Sequence, residues 1–223
     1  MGHSRKYHFD LHVHTSRHSG CSSLSAEKLI AAALEQKLDG IVLTDHEYLW
    51  PEEELQALLH DAGNPALVLL SGAETLVSLD SGLLGDVLLY GCTSIPEAGT
   101  HLDDVCRHVH NQGGIVVAAH PFAPGRGIGE ELFSARIDGI EVQNYRYYKR
   151  EWWERAAKAC EQLHLPATGG SDSHVLKTLG MCHTEFDAPI RSNAELISAI
   201  KGGHCSPFQK PDKLFFQTLF GFK

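Results

Sequence analysis

The chain has 223 residues, 43% apolar and 21% charged, an ordinary makeup for one globular domain large enough to close a barrel. Its formal charge of −9 disfavours a long track along a nucleic-acid backbone, so we expect no long nucleic acid as partner, although a nucleotide or a short oligonucleotide end stays open. No run approaches about 18 apolar residues, so neither a membrane span nor a membrane partner is expected, and the N-terminal MGHSRKYHFDLH lacks the apolar segment of a signal peptide.

Strand and helix patterns alternate from the start. Residues 9–14 form a short apolar strand ending HVH. Ser25 can cap a helix in which Leu29, Ile30, Ala33 and Leu34 recur at helical spacing. Strand 40–44 follows, and Pro51 opens a helix with Glu52, Glu53 and Glu54 in its first turn. Strands are expected at 66–70 and 86–90, a helix at 102–110, and strands at 114–119 and 139–142. A long helix over 148–163, a strand at 167–170 and a helix over 194–201, capped by Asn193 and closed by Gly202, complete the series. Seven strands mostly alternating with helices imply a parallel sheet covered by helices. We read 1–206 as one domain. The segment 207–223, with Leu214, Phe215, Phe216, Leu219, Phe220 and Phe222, reads as an aromatic tail that docks on it or forms an oligomer interface.

The six cysteines are scattered without a CxxC pair, which fits reduced thiols and a cytoplasmic setting. The fifteen histidines are less ordinary. His12, His14, His46, Glu74, His120, Asp172 and His174 sit at the ends of predicted strands, in FDLHVH, GIVLTDH, VLLSGAE, IVVAAH and ATGGSDSH. A barrel presents its chemistry at the C-terminal ends of its strands. On a strand, His12 and His14 share a face, so both reach one centre. Asp10 is in register to orient a histidine, and Asp45 to brace or cap a loop. A carboxylate such as Glu74 on an apolar strand is costly unless paired or metal-bound. Five imidazoles and two carboxylates exceed what one tetrahedral zinc takes, and point to two or three divalent ions of manganese, iron or zinc.

DLHVHT, VLTDH, a strand-end Glu, AAHP and GGSDSH together resemble the PHP (polymerase and histidinol phosphatase) family, over nearly the whole chain. The resemblance implies a distorted (β/α)7 barrel, TIM-like, and a site of two or three metals that hydrolyses phosphate esters. It maps the metal positions onto His12, His14, His46, Glu74, His120, Asp172 and His174. Two departures stand out. Where many members carry an acidic residue after HxHT, this chain has His18, Ser19 or Cys21. Where a fourth-strand histidine is common, Asp86 stands.

The expected function is metal-dependent hydrolysis of a small phosphomonoester by cation-activated water, with a non-ligating histidine such as His18, or a metal-bound water, as proton donor. Arg126, in PFAPGRGIG, can clamp phosphate, and Asn144 and Arg146 follow the sixth strand and face the same mouth. Asp86 begins its strand, so in a parallel barrel it would lie away from that mouth. His101, His183 and His204 have no supporting spacing and are expected at the surface. The rivals are a catalytically silent metal-binding scaffold, a phosphodiesterase, and an amidohydrolase on the same barrel.

Overall fold

The computed structural model describes residues 5–211. The strands, in chain order, are β1 (Tyr7–Val13), β2 (Gly40–Leu43), β3 (Val68–Ser78), β4 (Leu84–Tyr90), β5 (Thr100–His101), β6 (Ile115–Ala118), β7 (Gly139–Asn144), β8 (Ala167–Gly170), β9 (Cys182–Phe186) and β10 (Cys205–Gln209). The helices are α1 (Ala26–Glu35), α2 (Glu52–Asp61), α3 (Leu102–Asn111), α4 (Arg150–Leu163) and α5 (Asn193–Lys201). The sheet runs β10-β9-β1-β2-β3-β4-β6-β7-β8, with β5 beside β3. Past β8, Ser173 bridges back to Val13 and accepts the amide hydrogen of His14 at 3.0 Å, so the sheet nearly closes into a barrel.

All seven expected strands are present, but one runs against the others. β3 continues to Ser78 and pairs antiparallel with β4, from Gly72↔Tyr90 to Ser78↔Leu84. The reason is the connection. A parallel pair needs a crossover of a dozen or more residues, and only residues 79–83 separate these strands, with Gly82 at φ +79° in the turn. This reversal puts Asp86, at the start of its strand, at the barrel mouth and not away from it. At α5 the cap is Ser192, whose hydroxyl accepts from the Glu195 amide. Asn193 instead donates to the Ser71 carbonyl at 3.2 Å.

One apolar cluster fills the barrel: Phe9 and Leu11 from β1, Val42, Leu70, Leu88, Tyr90 and Val117, with Leu196 and Ile200 of α5 beneath them. Two others bind the helices to the outside, α1 and α2 on one flank and α3 and α4 on the other. Along β1 the register slips, with Asp10 opposite Ile41 and Val13 opposite Leu43. Three residues therefore span two, a bulge that turns His12 and His14 to the side already used by Phe9 and Leu11. On β7, Ile140 and Val142 pack under α3 and α4, so Glu141 faces the interior by the period of two.

β10 spans the expected boundary at 206/207. The aromatic residues assigned to a docking tail, from Leu214 on, lie outside the described residues. Among the described residues no helix is long and apolar enough to cross a membrane.

Closure brings β8 hard against β1. A Cβ on Gly170 would sit 2.5 Å from the His12 Cβ and 2.7 Å from Glu141 Oε1. Neither neighbour can yield cheaply, since both are buried. Gly170→Ala should cost about 1–3 kcal/mol, the usual penalty of overpacking, and a thermal melt would read this as a lowered Tm. An unchanged Tm would mean the seam has slack that this packing denies.

Candidate metal centre

The seven strand-end residues converge. His12 Nε2 lies 3.0 Å from His14 Nε2, 3.4 Å from Glu74 Oε1 and 3.7 Å from Asp172 Oδ1. His14 Nε2 is 3.2 Å from Glu74 Oε2 and 3.4 Å from Asp172 Oδ1. His46 Nδ1 reaches Glu74 Oε2 at 3.2 Å, and His120 Nε2 reaches Glu74 Oε1 at 3.1 Å. The donors fall into overlapping triads whose atoms lie within 4.8 Å of one another: His12–His14–Glu74, His12–His120–Asp172, His14–His46–His174 and Glu74–Asp86–His120. Glu74 is thus central, and Asp86 joins the cluster through the reversed β4.

Local backbone devices aim these groups. β3 does not end at Glu74. The parallel ladder with β2 ends at Leu43↔Ser71, and an isolated bridge then pairs His46 with Glu74. His120 has φ +28° and Asp172 φ +51°. Neither is glycine, and such conformations cost of order 1–3 kcal/mol unless the surroundings enforce them. They persist where the chain turns to point a side chain into the cluster.

A second layer holds the first. Glu141, which the sequence reading passed over, faces His12 Nδ1 at 3.0 Å with one oxygen. The other oxygen accepts the His120 amide and the Asn144 side chain, each at 2.9 Å. This leaves His12 Nε2 for the centre. A lone acidic residue in the apolar strand GIEVQN was its only mark in the sequence. Asp10 accepts amide hydrogens from Ser171, Gly180 and His12, orienting backbone and not an imidazole. Asp45 accepts from Thr15, Ser19 and the Trp50 ring nitrogen and so ties the β1 and β2 loops together.

Two of the expected contacts, Asn144 and His18, are placed differently. Asn144 is buried, its amide divided among Glu141, Asp172 (3.4 Å) and the Tyr147 amide. It braces Asp172 and is not turned to the cleft. His18 stacks flat on Tyr48, ring centroids 3.6 Å apart, with its edge on Trp50, and its buried Nε2 has no partner. That stack does not support the proton-donor role expected for it. Arg126 lies 3.6 Å from Asp86 at the mouth, with half its side chain exposed. Arg146 lines a cleft with Asp172 and His174. Cys21 Sγ is 3.1 Å from His174 Nε2.

The charge balance fits cations. Glu74, Asp86, Glu141 and Asp172 are all buried here, and among the described residues no lysine or arginine is buried with them. Three of the five imidazoles carry the compensation, whereas burial holds His46 and His174 below the ordinary value. Burial alone would depress the proton affinity of His12, but Glu141, Asp172 and Glu74 overcome it and raise it well above the ordinary value; His14 and His120 are raised too. Burial would likewise raise the Glu74 carboxyl, but His12, His120 and His14 hold it well below its usual range. Nδ1 of His120 is buried without a partner. Crowded imidazole nitrogens facing two anions are what a hard or borderline dication would replace protons in.

Two predictions follow from these contacts. Glu141→Gln keeps the shape but weakens the hold on His12, and metal affinity should fall about 10- to 100-fold, as read by competition with a fluorescent chelator. Equal affinity would show that His12 needs no orienting anion. The second concerns pH. The raised imidazoles stabilise the metal-free fold while protonated, fully so below the unfolded value of 6.5. That stability is lost as pH rises through their higher folded values. Chelated protein should therefore weaken toward urea as pH rises above 6.5, and divalent metal should protect it most at the upper end of the range. A flat profile would contradict this charge balance.

No curated protein sequence matches the chain. A family model described as PHP-associated matches residues 150–205. A two-domain protein from Bacteroides vulgatus, containing a predicted PHP-like metal-dependent phosphoesterase, superposes with TM-score 0.71 at 18% identity, over 92% of this chain and 65% of that one. PsfC from Pseudomonas syringae aligns with TM-score 0.68 at 19% identity over 92% of both chains. Endonuclease Q, bound to a 27-mer duplex with an abasic lesion at its active site, aligns with TM-score 0.64 at 16% identity, over 89% of this chain and 57% of that one. At such identities the likeness is one of fold. What these structures share with the chain is the barrel in which its strand-end motifs meet, and the PHP-associated model covers its residues 150–205.

Proposed function

We propose that the chain is a metal-dependent hydrolase of phosphate esters. The observation that carries this reading is the convergence of His12, His14, His46, Glu74, His120, Asp172 and His174, with Asp86, in overlapping triads at an open barrel mouth. Glu74, shared by two triads, is the residue to bridge neighbouring cations, and two or three divalent ions of manganese, iron or zinc match the mixed nitrogen and oxygen donors. Such ions would supply Lewis acidity and positive charge toward a phosphate. Everything else falls to the chain's own residues. Glu141 and Asn144 fix the ligands, and Tyr147, tilted against His120 with 4.5 Å between ring centroids, walls one side.

Arg126 and Arg146 stand on separate loops of the mouth and suit the dianion of a small phosphomonoester, held in bidentate fashion. A second reading, a phosphodiester in a nucleic acid, has its own observation. An open cleft of ≈ 670 Å³ is lined by Arg146, Tyr147, Tyr148, Lys149, Arg150, Glu151 and Trp152. Basic groups interleaved with aromatic rings suit a phosphate backbone and stacked bases. The expectation that long nucleic acid is excluded is therefore withdrawn. A total charge of −9 does not describe the field at one cleft, and a protein of this fold, endonuclease Q, is seen on duplex DNA. The scattered free thiols keep a cytoplasmic setting as our reading.

The test is release of inorganic phosphate by protein reconstituted with manganese, iron or zinc, from aryl and nucleoside monoesters, beside aryl diesters, oligonucleotides and a panel of amides. We expect metal-dependent turnover of a phosphate ester, monoesters foremost. Glu74→Ala should lower kcat at least about 100-fold, since removing a ligand exceeds the loss from removing a residue that only orients one. Arg126→Ala should chiefly raise KM, as lost uniform binding does. Metal-replete protein that cleaves amides only, or nothing, would overturn the proposal in favour of an amidohydrolase or a silent scaffold.

A further inference from the structure

A second group of metal-ligating side chains lies outside the centre described above. His8 on β1, and His183 and Glu185 on β9, place one donor atom each within 4.8 Å of one another. Strand geometry explains how they meet. His8 stands directly opposite Glu185 in the antiparallel β1–β9 ladder, and His183 is two residues before Glu185 and so on the same face. The opposite face carries Phe9 and Phe186, which pack edge to face in the barrel core. His8 precedes His12 by four residues, so the group lies about 13 Å along β1 from the main centre.

The details are those of ligands. His183 is buried, not at the surface as its lack of spacing had suggested. Its Nδ1 lies 3.0 Å from the Gly180 carbonyl, which can only accept. Nδ1 must therefore carry the hydrogen, and in the neutral ring the lone pair sits on Nε2. Fixing a tautomer through a backbone carbonyl is how proteins prepare a metal-binding imidazole. Nε2 points at His8 Nδ1, 2.9 Å away, and His8 Nδ1 is 3.7 Å from Glu185 Oε1. Ligand atoms around a tetrahedral zinc stand about 3.3 Å apart, and these two separations bracket that value. The His8 and Glu185 side chains are 33% and 19% exposed, which leaves a path for the ion and room for a water. Phe208 of β10, with its centroid 4.9 Å from that of His183, covers the group from one side. One cation acts on His183 but is already engaged: Lys210 donates to the carbonyl and side-chain oxygens of Gln36 at 2.7 and 2.8 Å.

We infer that His8, His183 and Glu185 form a separate binding site for a borderline dication of the zinc class, which clasps the β9–β10 hairpin to the first strand of the barrel. The position is a weak one in the sheet. Near its start β1 pairs with β9, while its last residue, Val13, is bridged to Ser173 after β8. The hairpin thus enters the barrel seam, and a three-ligand clasp would hold it there without touching the chemistry at the mouth.

The test uses the whole chain and zinc as probe. Wild type, His8→Gln and Glu185→Gln are equilibrated with the same free zinc and analysed for metal, and each is melted with and without it. Wild type should hold about one more zinc per chain than either variant, and the gain in Tm on adding zinc should shrink in both. Phosphate release, read separately, should stay at the wild-type level, because none of the three residues belongs to the mouth. If both variants keep the wild-type zinc count, the contact is a hydrogen bond between two histidines and the inference fails. Should a variant not fold, anomalous diffraction from zinc-soaked wild-type crystals decides. A peak between His8 and His183 supports the site, and a filled main centre with no peak there overturns it.

Discussion

Glu74 cannot remain as a bare anion at its position. It is 2% exposed, and Asp86, Glu141 and Asp172 are buried in the same region. Removing one carboxylate from water costs several kcal/mol even after the protein relaxes, and here the chain gathers four. Structural ion pairs would normally bring arginine or lysine alongside. Apart from the half-exposed Arg126 beside Asp86, the surroundings are imidazoles, which are optional cations: His12, His14 and His120 can hold protons when the site is empty and release them to dications. The barrel mouth is thus arranged around a charge deficit that the chain leaves for something else to fill, and Glu74, touching four of the imidazoles, is where the deficit concentrates.

The rest of the architecture can be understood as the means of placing those groups. Without the bulge in β1, strict alternation would send His12 and His14 to opposite sides from Phe9 and Leu11, and the barrel could not have both an apolar interior and a polar mouth on that strand. Without the short β3–β4 turn, β4 would run parallel and carry Asp86 to the far end. The left-handed backbone at His120 and Asp172 is the same kind of device at a single residue. Local departures from ideal strand geometry gather at the site because regular strands cannot aim this many donors at one point.

This also decides how much was legible beforehand. The seven barrel strands could be read because short apolar runs bounded by turn residues have few alternatives, and the ligands because each run ended in a group that apolar surroundings penalise. The direction of β4 was legible in principle from the five residues before it, but a strand expected to end at 70 concealed the hairpin. Glu141 was missed because it ends no strand. It lies mid-strand, and only the third dimension shows that His12 is opposite. His183 illustrates the same limit. Nothing in CHTEF distinguishes a surface histidine from a buried one until β10 is laid against it. Asn144 and His18 were placed near the mouth by sequence order, which does not reveal whether a side chain turns to the cleft or into its wall.

Chemistry and substrate choice are separable in this fold, and the separation limits what the fold conveys. The donors are fixed by strands whose positions depend on the core, so they change little without loss of the barrel. The groups that would meet a substrate, Arg126 and the run from Arg146 to Trp152, sit on loops and on the first turn of α4. A barrel can therefore keep its metal ligands while its loops move from one phosphate ester to another. In this chain the charge follows the same division. The mouth is anionic and suited to cations, whereas the segment entering α4 concentrates Arg146, Lys149 and Arg150 on a protein whose net charge is −9. Such a local reversal of sign has little value for stability on an exposed segment. On the proposed function, its value would lie in drawing an anion toward cations held by the strands, and this segment, more than the barrel, would then select the substrate.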